Sequence, residues 1–312
     1  MTCPKCGHER GTDERAPAWQ CPACGIAYDK LGSKRAATVI PTERTSVPGM
    51  TASSGGFRKF RIALLLIILA AVALDSWLTV LRSTDWTEPL WVVVYPINLD
   101  QGAGVSSYLR TLDDAGFASI QHYFSQQIRR YGVPLKHPLQ VRLGPELTQS
   151  PPLPPRPGEL LATMLWSLKL RYWAAVNDAY EGPRPDIRVF ALYYPAEAGR
   201  RLAHSTGLQK GMVSVVHVFA AAEMEGSNNV VIAHEVLHTL GATDKYDLAS
   251  GQPIFPQGYA EPERAPLLPQ RYAEIMGAYI PESETQANMP THLSQTLVGA
   301  HTALEIGWRA AP

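Results

Sequence analysis

Cysteine is confined to the first 24 residues of this 312-residue chain, as Cys3-Pro-Lys-Cys6-Gly7 and Cys21-Pro-Ala-Cys24-Gly25. Everything after Cys24 therefore lacks a thiol for a disulfide, a nucleophile or a soft metal site, and must hold together by its own core. A charge excess of either sign is also missing: 28 Lys and Arg balance 28 Asp and Glu. No broad basic surface is available, which argues against nucleic acid as a partner. No internal repeat is apparent, and long apolar runs are absent apart from one stretch, Ile62 to Val80.

That stretch, IALLLIILAAVALDSWLTV, has nineteen positions, or about 28 Å as a helix, which is long enough to span a bilayer. Asp75 is its one charge and lies near its C-terminal end beside Trp77, where interfacial water makes a carboxylate tolerable. Roughly sixty residues precede it, far more than an ordinary signal-peptide n-region. The expectation is a single transmembrane helix over 62–82. Lys30, Lys34, Arg35, Arg44, Arg58, Lys59 and Arg61 stand before it against the single acid Glu43, while Arg82 is followed by Asp85 and Glu88. This asymmetry predicts a single-pass protein of the inner membrane, with a cytoplasmic N-terminus and a periplasmic or extracellular C-terminal domain.

The two Cys-x-x-Cys-Gly pairs are separated by fourteen residues and read as a zinc ribbon over 1–30. Each pair places two thiolates on one ion, and Gly7 and Gly25 permit the tight turn in which backbone N–H groups point at sulfur. Cys3, Cys6, Cys21 and Cys24 would close a tetrahedral structural zinc site with no position left for substrate, and His8 is then a bystander. So short a segment cannot bury enough apolar surface to fold unaided, so its fold would depend on the metal. The pairs also resemble rubredoxin knuckles, which hold iron. Residues 31–61, basic and rich in Ser, Thr, Gly and Ala, read as a flexible tether. A cytoplasmic protein is the partner such a ribbon would recruit.

Residues 88–312 have the length of one domain, or of one domain with two lobes. Strands are expected at Trp91 to Leu99, Leu139 to Leu143, Ile187 to Tyr194 and Met212 to Ala221, and helices at Ser106 to Tyr131 and Glu159 to Tyr180. Gln149 to Pro157 and the five-proline stretch Leu248 to Gln270 are loops, and Leu293 to Trp308 would form a closing helix. This order implies an α+β lobe built on a mixed sheet. Trp166, Tyr172 and Trp173 read as core, and His204 and His217 as spare histidines.

Chemistry concentrates in residues 234–247, HEVLHTLGATDKYD. Residues four apart share a helix face, so His234 and His238 can point imidazoles at one metal while Glu235 approaches water bound there. Asn228 or Asn229 would cap the helix, and Gly241 would end it in a left-handed turn that returns a carboxylate, Asp244, to the metal. Asp247 is a competing third ligand. His-Glu-x-x-His alone arises by accident in on the order of one chain in a hundred of this length, and requiring Gly241 and Asp244 lowers that by roughly two further orders of magnitude.

With those offsets the segment resembles the metzincin clan of zinc peptidases, most closely its snapalysin type, and Lys245-Tyr246-Asp247 is similar to immune-inhibitor-A-like peptidases. The resemblance implies a metzincin-like catalytic domain in which His234, His238 and Asp244 hold a catalytic zinc and Glu235 is the general base that activates water against a peptide or protein substrate. It also implies a methionine turn beneath the metal, for which Glu274-Ile275-Met276-Gly277 is the candidate, with Tyr279 as a supporting residue. Met276 is otherwise a core methionine. In that clan an edge strand pairs with substrate backbone, and Met212 to Ala221 or Ile187 to Tyr194 would serve. The competing reading is a membrane scaffold or signalling protein that uses the ribbon and an outer domain binding zinc or peptide without turnover.

Overall fold

The apolar runs expected to be strands pair into one sheet whose order explains why they are apolar on both faces. The computed structural model describes residues 85–309 except 157, 198, 201 and 248, together with 59–67, 70 and 74 and, near the N-terminus, 2–3, 6–11 and 23. The chain divides into two units, Met1–Lys59 and Phe60–Pro312, and each is described by itself.

In the larger unit β1 (Leu90–Asn98), β2 (Leu139–Leu143), β3 (Ile187–Tyr194), β4 (Thr206–Leu208) and β5 (Val213–Phe219) form a five-stranded sheet in the order β2-β1-β3-β5-β4. The first four positions in that order are parallel, and β4 runs antiparallel to β5 at the edge. The fold is therefore α+β with a mixed sheet. Successive strand residues face opposite sides. Val92, Val94, Val189, Ala191, Val216 and Val218 enter one core with α1 (Ala103–Leu109), α2 (Ala118–Arg130) and α4 (Glu225–Thr239). Val93, Tyr95, Ile97, Phe190, Leu192 and Val215 enter a second core on the other face, covered by Trp166, Leu170 and Ala174 of α3 (Leu160–Val176). With β1 and β3 buried from both sides, their near-continuous apolar sequence follows.

Three expectations are revised. The helix foreseen over 106–131 is two helices, because the Asp113 side chain accepts hydrogen bonds from the N–H groups of Ala115 and Gly116 and starts a 3-10 turn, Asp114–Phe117. The closing helix shrinks to α5 (Ala300–Glu305), preceded by the 3-10 turn Leu293–Gln295. Neither strand proposed as the sheet edge is there: β3 is internal, β5 is next to last, and the edges are β2 and β4, the latter too short for a periodicity to reveal.

The membrane anchor over 62–82, and with it the single-pass inner-membrane topology, is corrected. Among the described residues no helix is long and apolar enough to cross a membrane. Continuous helix is described over 59–67, about 13 Å at 1.5 Å per residue, where a hydrocarbon core of about 30 Å must be spanned.

In the smaller unit the first cysteine pair forms the expected tight turn. Gly7 has φ +72°, its N–H donates to the Cys3 carbonyl at 2.9 Å, and the Cys3 N–H donates to the His8 carbonyl at 2.8 Å. Cys21 and Cys24, and the tether up to residue 58, lie outside the described residues.

Candidate metal centre

Helix α4 carries the site and is held from three sides. Asn228 and Asn229 lie inside the helix rather than at its cap, since a 3-10 turn, Ala222–Met224, leads directly into it. The Asn228 amide instead closes a pair of hydrogen bonds with the backbone of Phe219, at the end of β5. Asn229 donates to the Gly116 carbonyl and to Ser119 of α2. Val230, Ile232, Ala233, Val236 and Leu237 are buried beneath. The helix thus cannot slide against the sheet without breaking polar contacts as well as apolar ones.

One turn apart on this helix, His234 and His238 converge as the sequence predicted. Their Nε2 atoms lie 3.1 Å apart, and Asp244 Oδ1 is 3.2 Å from each. Three donors form a nearly equilateral triangle. Ligands of a tetrahedral ion with bonds of about 2.0 to 2.1 Å stand about 3.3 to 3.4 Å apart, so these residues fit a zinc-sized ion. Both imidazoles have their second nitrogen committed: His234 Nδ1 is 2.9 Å from the Ile275 carbonyl, and His238 Nδ1 is 2.8 Å from the Ala242 carbonyl. With Nδ1–H donating to those oxygens, both Nε2 lone pairs face the common centre, the arrangement metal-binding histidines use.

Gly241 has φ +105° and ends the helix, with the Ala242 N–H returning to the Leu237 carbonyl at 3.0 Å. This reversal delivers both the Ala242 carbonyl to His238 and the Asp244 carboxylate to the triangle. A Cβ at position 241 would stand 2.6 Å from Gln209 Nε2, the end of a flexible side chain that can move aside, so it is the backbone angle that selects glycine. Asp247, the rival ligand, is not brought in: its Oδ1 accepts from the Ser250 hydroxyl and N–H, closing a local turn.

Glu235 is 4% exposed, and its Oε2 has no hydrogen-bond partner. It offers an oxygen within 4.8 Å of donors on both histidines. Asp244 is nearer to both and closes the triangle, which leaves Glu235 as the neighbour of the centre rather than its third corner. Burial pushes the Glu235 carboxyl above its ordinary value, opposed by the two histidines. Asp244 is lifted by burial, yet the adjoining His234 and His238 hold it well below the usual carboxylate range. Burial depresses His234, but Asp244, Glu235 and the Ile275 carbonyl outweigh it and raise the imidazole.

Met276 is fully buried in the 3-10 turn Ile275–Gly277 directly after Glu274. It belongs to the core that also holds Val236 and Leu237. The turn presents the Ile275 carbonyl to His234, so it does support the site from below. Tyr279 does not join the triangle; its ring packs edge-on against Tyr246 at 6.1 Å between centroids. Tyr246, two residues after Asp244, feels the charges of Asp244 and Glu235, and its hydroxyl is pushed up to about 12, first by burial.

Three residues hold the site in ways the sequence did not reveal. Glu274 is fully buried, and its carboxylate accepts four hydrogen bonds: Oε2 from the N–H groups of Met276 and Gly277, Oε1 from the Gly299 N–H and the Thr302 hydroxyl. It fixes the turn whose carbonyl aligns His234. Gly207 of β4 lies against α4 so closely that a Cβ there would be 2.5 Å from His238 Cβ and 2.6 Å from the Glu235 carbonyl. Lys245 is buried with Glu305 Oε2 2.6 Å from its Nζ, and its N–H donates to the Met276 carbonyl, which ties the loop after Asp244 to the same turn. His204, just before β4, is exposed and adds a charge felt by Glu235. His217 is held on β5 by Tyr194 at 2.8 Å.

No protein-family model and no curated protein matches the chain. Among solved structures it is similar to wild-type OgpA from Akkermansia muciniphila, at 11% identity and a TM-score of 0.34, over 74% of this chain and 67% of that one. A likeness so distant carries no weight for fold or activity, so the functional reading rests on the residues themselves.

Proposed function

We propose that the protein is a zinc-dependent peptidase of the metzincin type that hydrolyses peptide bonds with metal-activated water. The observation that carries this reading is the 3.1 to 3.2 Å triangle of His234 Nε2, His238 Nε2 and Asp244 Oδ1 with the unpartnered Glu235 Oε2 beside it. His234, His238 and Asp244 would hold the ion. When bound, zinc supplies a fourth coordination position at which water becomes acidic near pH 7 and a carbonyl is polarised.

The remaining work falls to the chain. Glu235 Oε2 accepts the proton of the attacking water and later returns it to the leaving amine. A carboxylate raised by burial is suited to both halves of that exchange, because it neither holds nor releases the proton too firmly. The Ile275 and Ala242 carbonyls keep the two imidazoles in one tautomer. β4 runs along α4 at Gly207, and as an edge strand it would pair with an extended peptide. A pure binding site has no use for a desolvated base beside its metal donors, and this favours turnover over the scaffold alternative. A second, structural zinc on Cys3, Cys6, Cys21 and Cys24 belongs to the same proposal.

The test uses the whole chain, with zinc per chain measured by elemental analysis and cleavage followed on a broad peptide library. Wild type should hold two zinc ions and cleave. Glu235→Gln should keep both ions and lose about 10²- to 10⁴-fold in kcat. Asp244→Ala should lose one ion, and Asp247→Ala should lose none. Full zinc occupancy with no cleavage by wild type would overturn the peptidase reading, and zinc loss in Asp247→Ala but not Asp244→Ala would overturn the ligand set.

A further inference from the structure

One face of α3 remains uncovered although it is as apolar as the face that is buried. Trp166, Leu170 and Ala174 pack on the sheet, whereas Leu160, Leu161, Met164, Leu165, Leu168, Tyr172 and Val176 are 58 to 76% exposed. These seven side chains are worth on the order of 100 Å² each, as the area coefficient and the burial energy of such side chains imply, and together reach roughly 700 Å². Monomers rarely leave so large a contiguous apolar patch, and about 800 Å² per partner is the size of a standard protein interface.

The spacing identifies the kind of partner. Leu161, Leu165, Leu168 and Tyr172 follow one another at intervals of four, three and four residues, the 3.5-residue seam of helix-to-helix packing. A helix lying on a lipid surface needs a cation-rich polar face turned to water, but the face of α3 opposite the seam is buried against the sheet, and Lys169 and Arg171 are its only basic residues.

We propose that α3 is the dimerisation surface of this protein, and that the occupant of its seam is α3 of a second copy. About a two-fold axis the two helices run antiparallel, which sets Leu165 against Leu168 and Leu161 against Tyr172 across the axis. The contact is isologous and closes at two copies, so it yields dimers rather than fibres. Because α3 covers the sheet face opposite α4, dimerisation leaves the candidate metal centre open.

The experiment is sedimentation velocity of the full chain across a wide concentration range, with zinc content as the control for folding. Wild type should sediment at twice the monomer mass. Leu165→Glu combined with Leu168→Glu should halve that mass with unchanged zinc content, since both side chains are solvent-facing in the monomer. A photoreactive residue at position 161 should give a covalent dimer cross-linked near Tyr172, which tests the antiparallel register without relying on a disruptive variant. A wild type monomeric at every concentration, a charged variant that still dimerises, or a wild-type monomer captured by phosphatidylglycerol vesicles through this face would each overturn the proposal.

Discussion

Glu274 is the residue on which the orientation of His234 turns. Its two oxygens accept four donors from two segments, so replacing it leaves buried N–H and O–H groups unmatched. Leaving a buried donor unmatched costs about 1 to 3 kcal/mol, and with four of them Glu274→Ala should lower the stability of the folded chain by at least about 3 kcal/mol in urea unfolding. Glu274→Gln is the sharper variant. It keeps the volume but turns an NH₂ toward two of the four donors, so it should cost about 2 kcal/mol and weaken zinc binding about 10- to 100-fold, as loss of an outer partner of a metal ligand does. Competition with a chromogenic chelator reads that affinity; an unchanged zinc affinity in Glu274→Gln would show that the carboxylate stabilises the fold without aligning the ligand.

At the scale of elements, β4 and α4 meet at a single permissive position. Gly207→Ala would push a methyl group into His238 Cβ and the Glu235 carbonyl, both of which belong to a packed helix that cannot yield cheaply. Overpacking of this kind costs about 1 to 3 kcal/mol. Since the strain falls on the residues that bracket the centre, kcat for peptide cleavage should drop more than thermal stability would suggest. Equal activity in Gly207→Ala and wild type would contradict the close approach.

The same elements show what was legible in sequence. Residues in α4 were readable because a helix makes His234 and His238 neighbours by local rule, and Gly241 advertises its turn. Strands β1, β3 and β5 announced themselves by β-branched, doubly buried runs. Glu274 was not readable, because its donors at 299 and 302 are distant in sequence and a lone glutamate ahead of an apolar turn gives no pattern. Nor was β4, three residues long, whose defining feature is the absence of a side chain at Gly207. The single helix expected over 106–131 failed at Asp113, where a local side-chain-to-backbone bond overrode apolar periodicity. Apolar composition at 62–80 was read as a spanning helix, whereas among the described residues no helix is long and apolar enough to cross a membrane.

Across the whole molecule, the loop after Asp244 and the C-terminal helix are joined by the pair of buried Lys245 and half-buried Glu305, and this makes stability depend on acid. Burial tends to raise the Glu305 carboxyl, but Lys245 and the Thr243 hydroxyl and N–H outweigh it, so its folded value lies below the ordinary one. A carboxylate shifted down contributes stability above its unfolded value of about 4.3 and loses it as pH falls through the lower folded value. Glu305→Gln should therefore be less stable than wild type by about 2 kcal/mol at pH 7, with the gap closing as pH falls below the unfolded value. A gap of constant size across that interval would show that packing, not charge, joins the two segments.

The reach of Glu274 to Gly299 and Thr302 also bears on when the protein becomes competent during its synthesis. Ribosomes add residues from the N-terminus, so α4 with both histidines emerges well before the segment that completes the carboxylate's contacts. A nascent or prematurely terminated chain ending short of position 302 lacks one or both of the last donors, and the carbonyl that steers His234 is then less firmly fixed. Firm alignment of the His234 side chain is thereby deferred until the segment around position 302 has emerged.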